Sequence, residues 1–212
     1  MTDGSDQTLN FASSLCSPPI FDYKGLKQLA ERDGVPIVSM DIGYFLNLLV
    51  RLRKPKKILE IGSGYGCSTL FMITGNAEAR LLTIDGNDHR TEFTRKQVLK
   101  NGFEDRVAIR NILATNFFKE NESTFDMIFL DSMKKEYEEL LEPCVESLNQ
   151  EGILVADNVF FKGQVSGTQP LKKQYLATRK KLQLFIEKAR NHPSLDTYFY
   201  NIGDGLLTAI KK

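Results

Sequence analysis

Apolar residues follow two spacings along the chain, and these spacings predict where helices and strands lie. Helical intervals predict a first helix from about Asp41 to Arg53, marked by Phe45, Leu46, Leu48, Leu49 and Leu52. Behind it, short apolar runs predict strands at Lys57–Ile61, Leu81–Ile84, Val107–Leu113, Asp126–Leu130 and Gly152–Ala156. Helical patterns alternate with them at Cys67–Thr74, His89–Asn101, Lys135–Leu148 and Leu171–Asn191.

The end of the chain has the pattern of a hairpin. Thr197–Ile202 and Leu206–Ile210 flank the turn residues Gly203, Asp204 and Gly205. Five strand–helix repeats followed by a hairpin predict an α/β fold. We expect a mostly parallel seven-stranded sheet with a C-terminal antiparallel hairpin and helices on both faces.

Composition narrows the class of protein. A length of 212 residues suits one domain, which we place at 21–212 behind a flexible N-terminal arm at 1–20 that lacks periodicity. The 28 basic and 27 acidic residues give a net charge of +1, so no global field points to nucleic acid or a membrane. Three dispersed cysteines and two histidines fit neither a zinc site nor a disulfide framework.

Membrane insertion and secretion are not expected from this sequence. It contains no run of about 18 apolar residues, the length of a membrane-spanning helix. The first ten residues are polar and acidic, unlike a secretory signal. Together with the few cysteines, these features favour a reducing, cytoplasmic location.

A glycine-rich turn follows the first predicted strand. In ILEIGSGYG, Glu60 precedes Gly62, Gly64 and Gly66, and Asp85 closes the next strand, where an acid can bind ribose hydroxyls. A nicotinamide dinucleotide and S-adenosylmethionine both fit such a turn. The G-x-G-x-G spacing differs from the G-x-G-x-x-G that seats a pyrophosphate, and Glu60 would repel that group. The turn therefore favours S-adenosylmethionine.

Polar residues also close the fourth and fifth strands. Asp131, Asp157 and Asn158 offer two carboxylates and one amide oxygen, a hard donor set that suits Mg²⁺ or another divalent cation. Lys134 follows Asp131 by three residues and could act as a base in the same pocket. The alternative is that the polar residues cap turns and that Lys134 is a solvated surface lysine.

The motifs ILEIGSGYGCST, LLTIDGN, FDMIFLDSMKKEY, GILVADNVFFKG and GDGLLTAIKK together resemble those of the cation-dependent O-methyltransferases of the catechol and caffeoyl-CoA type. The resemblance covers Val35 to the C-terminus and implies the Rossmann-like class I methyltransferase fold, use of S-adenosylmethionine and Mg²⁺, and a homodimer. It implies S-adenosylmethionine contacts at Val38, Glu60, Gly62, Ser63, Gly64, Ser68, Asp85, Ala114 and Asp131. It also implies a cation at Asp131, Asp157 and Asn158, with Lys134 and Asp131 as the catalytic residues.

Three positions depart from the pattern of this family. Asp85 stands where glutamate is common, and Cys67 stands where tyrosine is frequent. Ile112-Leu113-Ala114 replaces the more usual Gly-Asp-Ala, which leaves the adenine contacts open. The cation-binding set is intact.

Two methyl acceptors compete within the family: small catechol-like molecules, and 5-hydroxyuridine at the wobble position of tRNA. The segments DNVFFKGQV and HPSLDTYFYNIGDG look more like the bacterial tRNA-modifying branch. Lys162 to Arg190 contains eight basic residues and one acidic residue, and RLRKPKK adds five basic residues at 51–57. Such stripes can track phosphates, although a solvated helix face would have the same composition.

Two other classes of protein stay open from the sequence alone. One is a nicotinamide-dependent oxidoreductase, which uses a similar glycine turn. The other is a non-catalytic RNA-binding protein that has retained the fold, against which the intact Asp131, Asp157 and Asn158 set argues.

Overall fold

The structure, a computed structural model, describes residues 11–212, and a seven-stranded sheet forms its centre. The strands are β1 (Lys57–Ile61), β2 (Arg80–Asp85), β3 (Val107–Asn111), β4 (Phe125–Leu130), β5 (Leu148–Ala156), β6 (Leu195–Tyr200) and β7 (Leu206–Lys211). Their order is β3-β2-β1-β4-β5-β7-β6. The first five strands are parallel, and β7 is antiparallel to β5 and β6. The predicted mostly parallel sheet with its terminal hairpin is confirmed.

Seven helices connect and cover the strands from residue 23 onward. They are α1 (Tyr23–Arg32), α2 (Met40–Arg53), α3 (Cys67–Ile73), α4 (Asp88–Lys100), α5 (Ala114–Glu120), α6 (Tyr137–Glu146) and α7 (Leu176–Asn191). Short 3₁₀ turns at Lys134–Glu136 and Lys173–Tyr175 precede α6 and α7. Among residues 11–212, no helix is long and apolar enough to cross a membrane.

The helices differ from the sequence pattern in three places. Helices α1 and α5 are not predicted, and each contributes only two or three buried residues. The predicted helix Leu171–Asn191 begins later, because the Gln164 side chain accepts a hydrogen bond from the Lys172 backbone and ties that segment to a loop. Within the predicted N-terminal arm, residues 1–10 lie outside the described part of the chain and residues 11–15 are helical.

Two apolar cores lie on opposite faces of the sheet, as strand alternation requires. Ile58 and Phe129 belong to one core, whereas Leu59 and Ile128 belong to the other. Helices α1 to α4 pack against the first core, and α5 to α7 against the second. The sheet is therefore buried on both faces, and its edge at the carboxyl ends of the strands is where a ligand can reach it.

Strand register brings the polar strand ends together. Ile61 of β1 lies beside Ile84 of β2 and Leu130 of β4, and Leu130 lies beside Ala156 of β5. The residue that follows each strand therefore emerges at the same edge of the sheet.

The close contact between α2 and α3 gives a first prediction. A Cβ at Gly43 would lie 2.2 Å from the Phe71 ring, which is 2% exposed and packs edge-on against Phe21 at a centroid distance of 5.0 Å. Although alanine normally stabilises a helix, we expect Gly43→Ala to lower the free energy of unfolding by about 1–3 kcal/mol, because the ring cannot move aside. Denaturant unfolding measures the change.

A double variant isolates the clash as the cause. We expect Gly43→Ala combined with Phe71→Leu to be less destabilised than the sum of the two single changes, because the smaller side chain makes room for the new methyl group. Additive effects, or a stabilised Gly43→Ala variant, would show that the contact is loose.

Candidate active site

A cavity of about 810 Å³ opens at the carboxyl edge of the sheet. Its walls come from the turns after each of the strands β1 to β5, from the β6–β7 turn and from the segment 36–39. Eleven of the twelve residues proposed from the sequence line it: Val38, Gly62, Ser63, Gly64, Ser68, Asp85, Ala114, Asp131, Lys134, Asp157 and Asn158. The structure thus brings residues predicted to contact S-adenosylmethionine and residues predicted to bind a cation into one cavity.

Glu60 is the exception, because it is fully buried inside the sheet rather than on the cavity wall. The Ser68 hydroxyl donates to its carboxylate at 2.5 Å, and the Thr69 hydroxyl donates to the other oxygen. Burial raises the pKa of Glu60 to about 7, and these two hydroxyl groups oppose the rise. Glu60 therefore has no surface on the cavity, whereas Ser68, which donates to it, does line the cavity; the expected contact of Glu60 with a ligand stays a prediction.

The glycine turn brings backbone close to the centre of the cavity. Gly62 has φ +103°, and a Cβ there would lie 2.0 Å from the carbonyl oxygen of Asp131, so only glycine fits. Ser63 is 2% exposed, and its hydroxyl has no hydrogen-bond partner within the described residues. A buried hydroxyl without a partner on a cavity wall fits a polar ligand.

Asp85 lies beside this turn at the end of β2. Its carboxylate accepts hydrogen bonds from the backbone of Gly64 at 3.3 Å and of Asn87 at 2.9 Å. Beyond it, Ile112, Leu113 and Ala114 form an apolar wall of the cavity. This side of the cavity combines one carboxylate with an apolar surface.

The opposite side contains the two strand-end carboxylates. Asp157 is 3% exposed, and burial, followed by the charge of Asp131, raises its pKa to about 7. Asn158 has φ +55°, and its backbone N–H donates to the Asp157 carboxylate at 2.7 Å. No three His, Cys, Asp or Glu side chains among residues 11–212 form a metal site. A cation here would therefore depend on the amide oxygen of Asn158 as its third protein ligand.

Lys134 is held inside the cavity rather than in solvent. Its side chain is 14% exposed, and its ammonium group donates to Asp131 at 2.7 Å and to the Tyr137 hydroxyl at 2.7 Å. The alternative of a solvated surface lysine is wrong for this structure. The ammonium group compensates part of the charge of the two carboxylates.

Tyr137 was not predicted as a site residue. It is fully buried, and its hydroxyl lies 2.9 Å from the carbonyl oxygen of Leu130 and 3.0 Å from that of Asp157. Burial raises its pKa well above the ordinary value, so the hydroxyl keeps its proton and can donate. Its position three residues after Lys134 was the available sequence signal, since such residues share a helix face. Asp204 also lines the cavity and was assigned only to a turn.

Comparison with known proteins identifies relatives for nearly the whole chain. A family model described as O-methyltransferase matches residues 24–212. A catechol O-methyltransferase of Niastella koreensis is 31% identical over 147 residues, which span 65% of this chain and 66% of that relative, just under two thirds. Caffeoyl-CoA O-methyltransferase 1 of Eucalyptus globulus is 28% identical over 177 residues, covering 79% of this chain and 72% of that relative.

The fold is also similar to that of solved methyltransferases. The SAH-bound methyltransferase of Podospora anserina superimposes with a TM-score of 0.86 at 25% sequence identity, covering 100% of this chain and 97% of that one.

The buried hydroxyl of Tyr137 gives a second prediction. Tyr137→Phe removes the donor shared by two buried carbonyl oxygens, so we expect the free energy of unfolding to fall by about 1–3 kcal/mol. Denaturant unfolding tests this, with Tyr198→Phe as the matched control because that side chain is 49% exposed. Equal stabilities of the two variants would contradict a structural role for the Tyr137 hydroxyl.

Proposed function

The chain belongs to the O-methyltransferase family, and from this premise we propose that it transfers the methyl group of S-adenosylmethionine to a hydroxyl held beside a divalent cation. One observation carries this function. The glycine turn after β1 and the oxygen donors after β4 and β5 line the same cavity, so a methyl donor and an acceptor could meet there.

The residues on one side of the cavity fit S-adenosylmethionine. Close approach at Gly62 and the unpartnered hydroxyl of Ser63 suit the polar methionine part. The Asp85 carboxylate can accept hydrogen bonds from ribose hydroxyls, and the apolar wall of residues 112–114 suits an adenine ring. The Podospora anserina relative, bound to SAH, supports this assignment.

The residues on the other side fit a divalent cation such as Mg²⁺. Asp131, Asp157 and Asn158 would hold it through oxygen atoms, and the ion would supply a positive charge that favours the ionised form of an acceptor hydroxyl. Lys134 contacts Asp131 and Tyr137, and in its neutral amine form it would take the proton of that hydroxyl. Positioning and charge stabilisation would then provide most of the rate enhancement.

The acceptor that we propose is 5-hydroxyuridine at the tRNA wobble position. Three residues after Asn158, the Phe161 ring packs edge-on against the Tyr175 ring at a centroid distance of 5.0 Å. The Lys162 and Lys172 ammonium groups each lie 5.9 Å from the centroid of the Tyr175 ring. Neither lysine forms an ion pair in the described part of the chain. Aromatic rings beside free ammonium groups suit a base with its phosphates.

The basic helix predicted from the sequence supports tRNA as the acceptor less strongly than these aromatic rings and lysines do. Lys181 and Lys188 both pair with Glu138, at 2.9 and 2.5 Å, so part of the stripe holds α7 against α6. The second candidate acceptor is a small catechol-like molecule, which the name of the Niastella koreensis relative favours. Both acceptors offer two neighbouring oxygens to a cation.

A homodimer and the assignment of residues 21–212 to a single domain stay predictions. A second copy would cover exposed apolar side chains on α2 and on the edge strand β6. These are Leu48, Leu52, Tyr198 and Tyr200. Such a cluster is typical of an interaction site.

The cation requirement gives a third prediction. We expect EDTA, or Asp157→Ala, to reduce methyl transfer by about 100-fold or more, because the lost charge stabilisation amounts to several kcal/mol. Binding of S-adenosylmethionine should change by less than about threefold by calorimetry, a difference of under 1 kcal/mol. Asp196→Ala, on the exposed β6 edge, is the control. Full activity of Asp157→Ala in the presence of EDTA would exclude the cation.

The acceptor gives a fourth prediction. We expect methylation of tRNA that contains 5-hydroxyuridine, and none of unmodified tRNA. The double change Lys162→Gln, Lys172→Gln should reduce the tRNA rate by about tenfold and weaken its salt dependence, because two phosphate contacts are lost. The matched control is Lys96→Gln, Lys100→Gln on the exposed face of α4. A panel of catechols is assayed in parallel, and methylation of catechols alone would overturn the tRNA assignment.

A further inference from the structure

The loop that follows β5 has an unusual backbone. Asn158, Phe161 and Lys162 have φ values of +55°, +47° and +55°, and Gly163 continues at +69°. Residues with side chains rarely adopt this left-handed conformation, and bulky ones such as phenylalanine and lysine do so only where surrounding contacts impose it. Residues 158–163, hereafter the β5 loop, therefore need contacts that impose this conformation, beyond the single hydrogen bond from the Phe161 N–H to the Asn158 carbonyl oxygen within them.

The β6–β7 turn supplies those contacts. The carboxylate of Asp204 accepts the backbone N–H of Lys162 with both oxygens, at 2.6 and 2.7 Å. The backbone N–H of Phe160 donates to the carbonyl oxygen of Asp204 at 3.0 Å, and that of Val159 donates to Gly205 at 2.9 Å. A hydrogen bond to a charged acceptor is stronger than one between neutral groups, so the Asp204 carboxylate anchors the loop firmly at Lys162.

Glycine at position 205 allows the turn to come this close. Gly205 has φ +87°, and a Cβ there would lie 2.3 Å from the ring of Phe160. The turn and the β5 loop therefore fit together only without a side chain at 205. This explains the GDG sequence better than the turn alone does, because a hairpin turn needs no carboxylate aimed at a neighbouring loop.

We propose that Asp204 is a positioning residue that fixes the β5 loop and thereby places Asn158 beside Asp157 for cation binding, a role that rests on the proposed function. Asp204 acts through Lys162, whose backbone N–H both of its carboxylate oxygens accept. Asn158 lies four residues before Lys162 in the same strained loop, so release of Lys162 frees the segment that carries the third cation ligand.

The first test measures the loop without any cation. Hydrogen exchange of the full-length protein should be faster by about tenfold at Phe160 and Lys162 in Asp204→Ala, because their amide hydrogen bonds open more easily. The control, Asp196→Asn, lies on the same hairpin with an exposed carboxylate and should exchange as the wild type does. Unchanged exchange in Asp204→Ala would overturn the inference, whatever the enzyme binds.

The second test measures cation binding directly, by calorimetric titration of Mn²⁺ into protein saturated with S-adenosylhomocysteine. We expect Asp204→Ala to weaken Mn²⁺ binding about 10- to 100-fold, the usual effect of losing a residue that orients a ligand. Asp204→Asn keeps one acceptor oxygen, so its affinity for Mn²⁺ should lie between those of the wild type and of Asp204→Ala. Gly205→Ala keeps Asp204 but displaces Phe160, so its affinity for Mn²⁺ should be as weak as that of Asp204→Ala.

The outcomes separate this inference from the proposed function. Wild-type protein that binds no Mn²⁺ would contradict the proposed cation, while the exchange experiment would still decide the role of Asp204. Normal Mn²⁺ binding with lost activity in Asp204→Ala would overturn the inference and indicate direct contact with the acceptor. Affinity for S-adenosylmethionine should stay within about twofold in every variant, since the glycine turn is untouched.

Discussion

Two carboxylates that end adjacent strands set the main physical constraint on this molecule. The register of β4 and β5 places Leu130 beside Ala156, so Asp131 and Asp157 emerge side by side in a largely buried setting. Burial, followed by repulsion from the charge of Asp131, raises the pKa of Asp157 to about 7. The pair needs a positive group nearby, and the Lys134 ammonium, 2.7 Å from Asp131, supplies one in this structure. A bound divalent cation would supply more charge at the same place.

Residues close to the two carboxylates hold them in this arrangement. The Tyr137 hydroxyl touches Lys134 and the carbonyl oxygens at the ends of both strands, so one buried side chain orients the ammonium group and joins β4 to β5. On the other side, the absence of a side chain at Gly62 lets the β1 turn pack against the Asp131 carbonyl oxygen. The wall proposed for the methyl donor and the wall proposed for the acceptor therefore meet at the backbone of a single residue, Asp131.

The sequence predicted what depends on local pattern and missed what depends on distant partners. Buried parallel strands have continuous apolar runs, so all of the strands and the polar residues that close them were found. Helices α1 and α5 bury too few residues to leave a periodic stripe. The predicted contact of Glu60 with S-adenosylmethionine could not include its burial, because the hydroxyls of Ser68 and Thr69, which enclose its carboxylate, come from the following helix. Asp204 was missed because its partner, Lys162, lies 42 residues away.

The proposed cation ligands alone could not select an acceptor, since any pair of neighbouring oxygens would satisfy a cation held there. Selection must come from residues that reach the remainder of the acceptor, and Phe161 and Lys162 belong to the same loop as Asn158. Because Asp204 holds that loop from the β6–β7 turn, side chains at its tip can change without moving Asn158, the proposed cation ligand, provided that the Lys162 backbone stays bound. Under the proposed function, the fold thus separates the chemistry, fixed by backbone contacts, from recognition, carried by side chains on the same few residues.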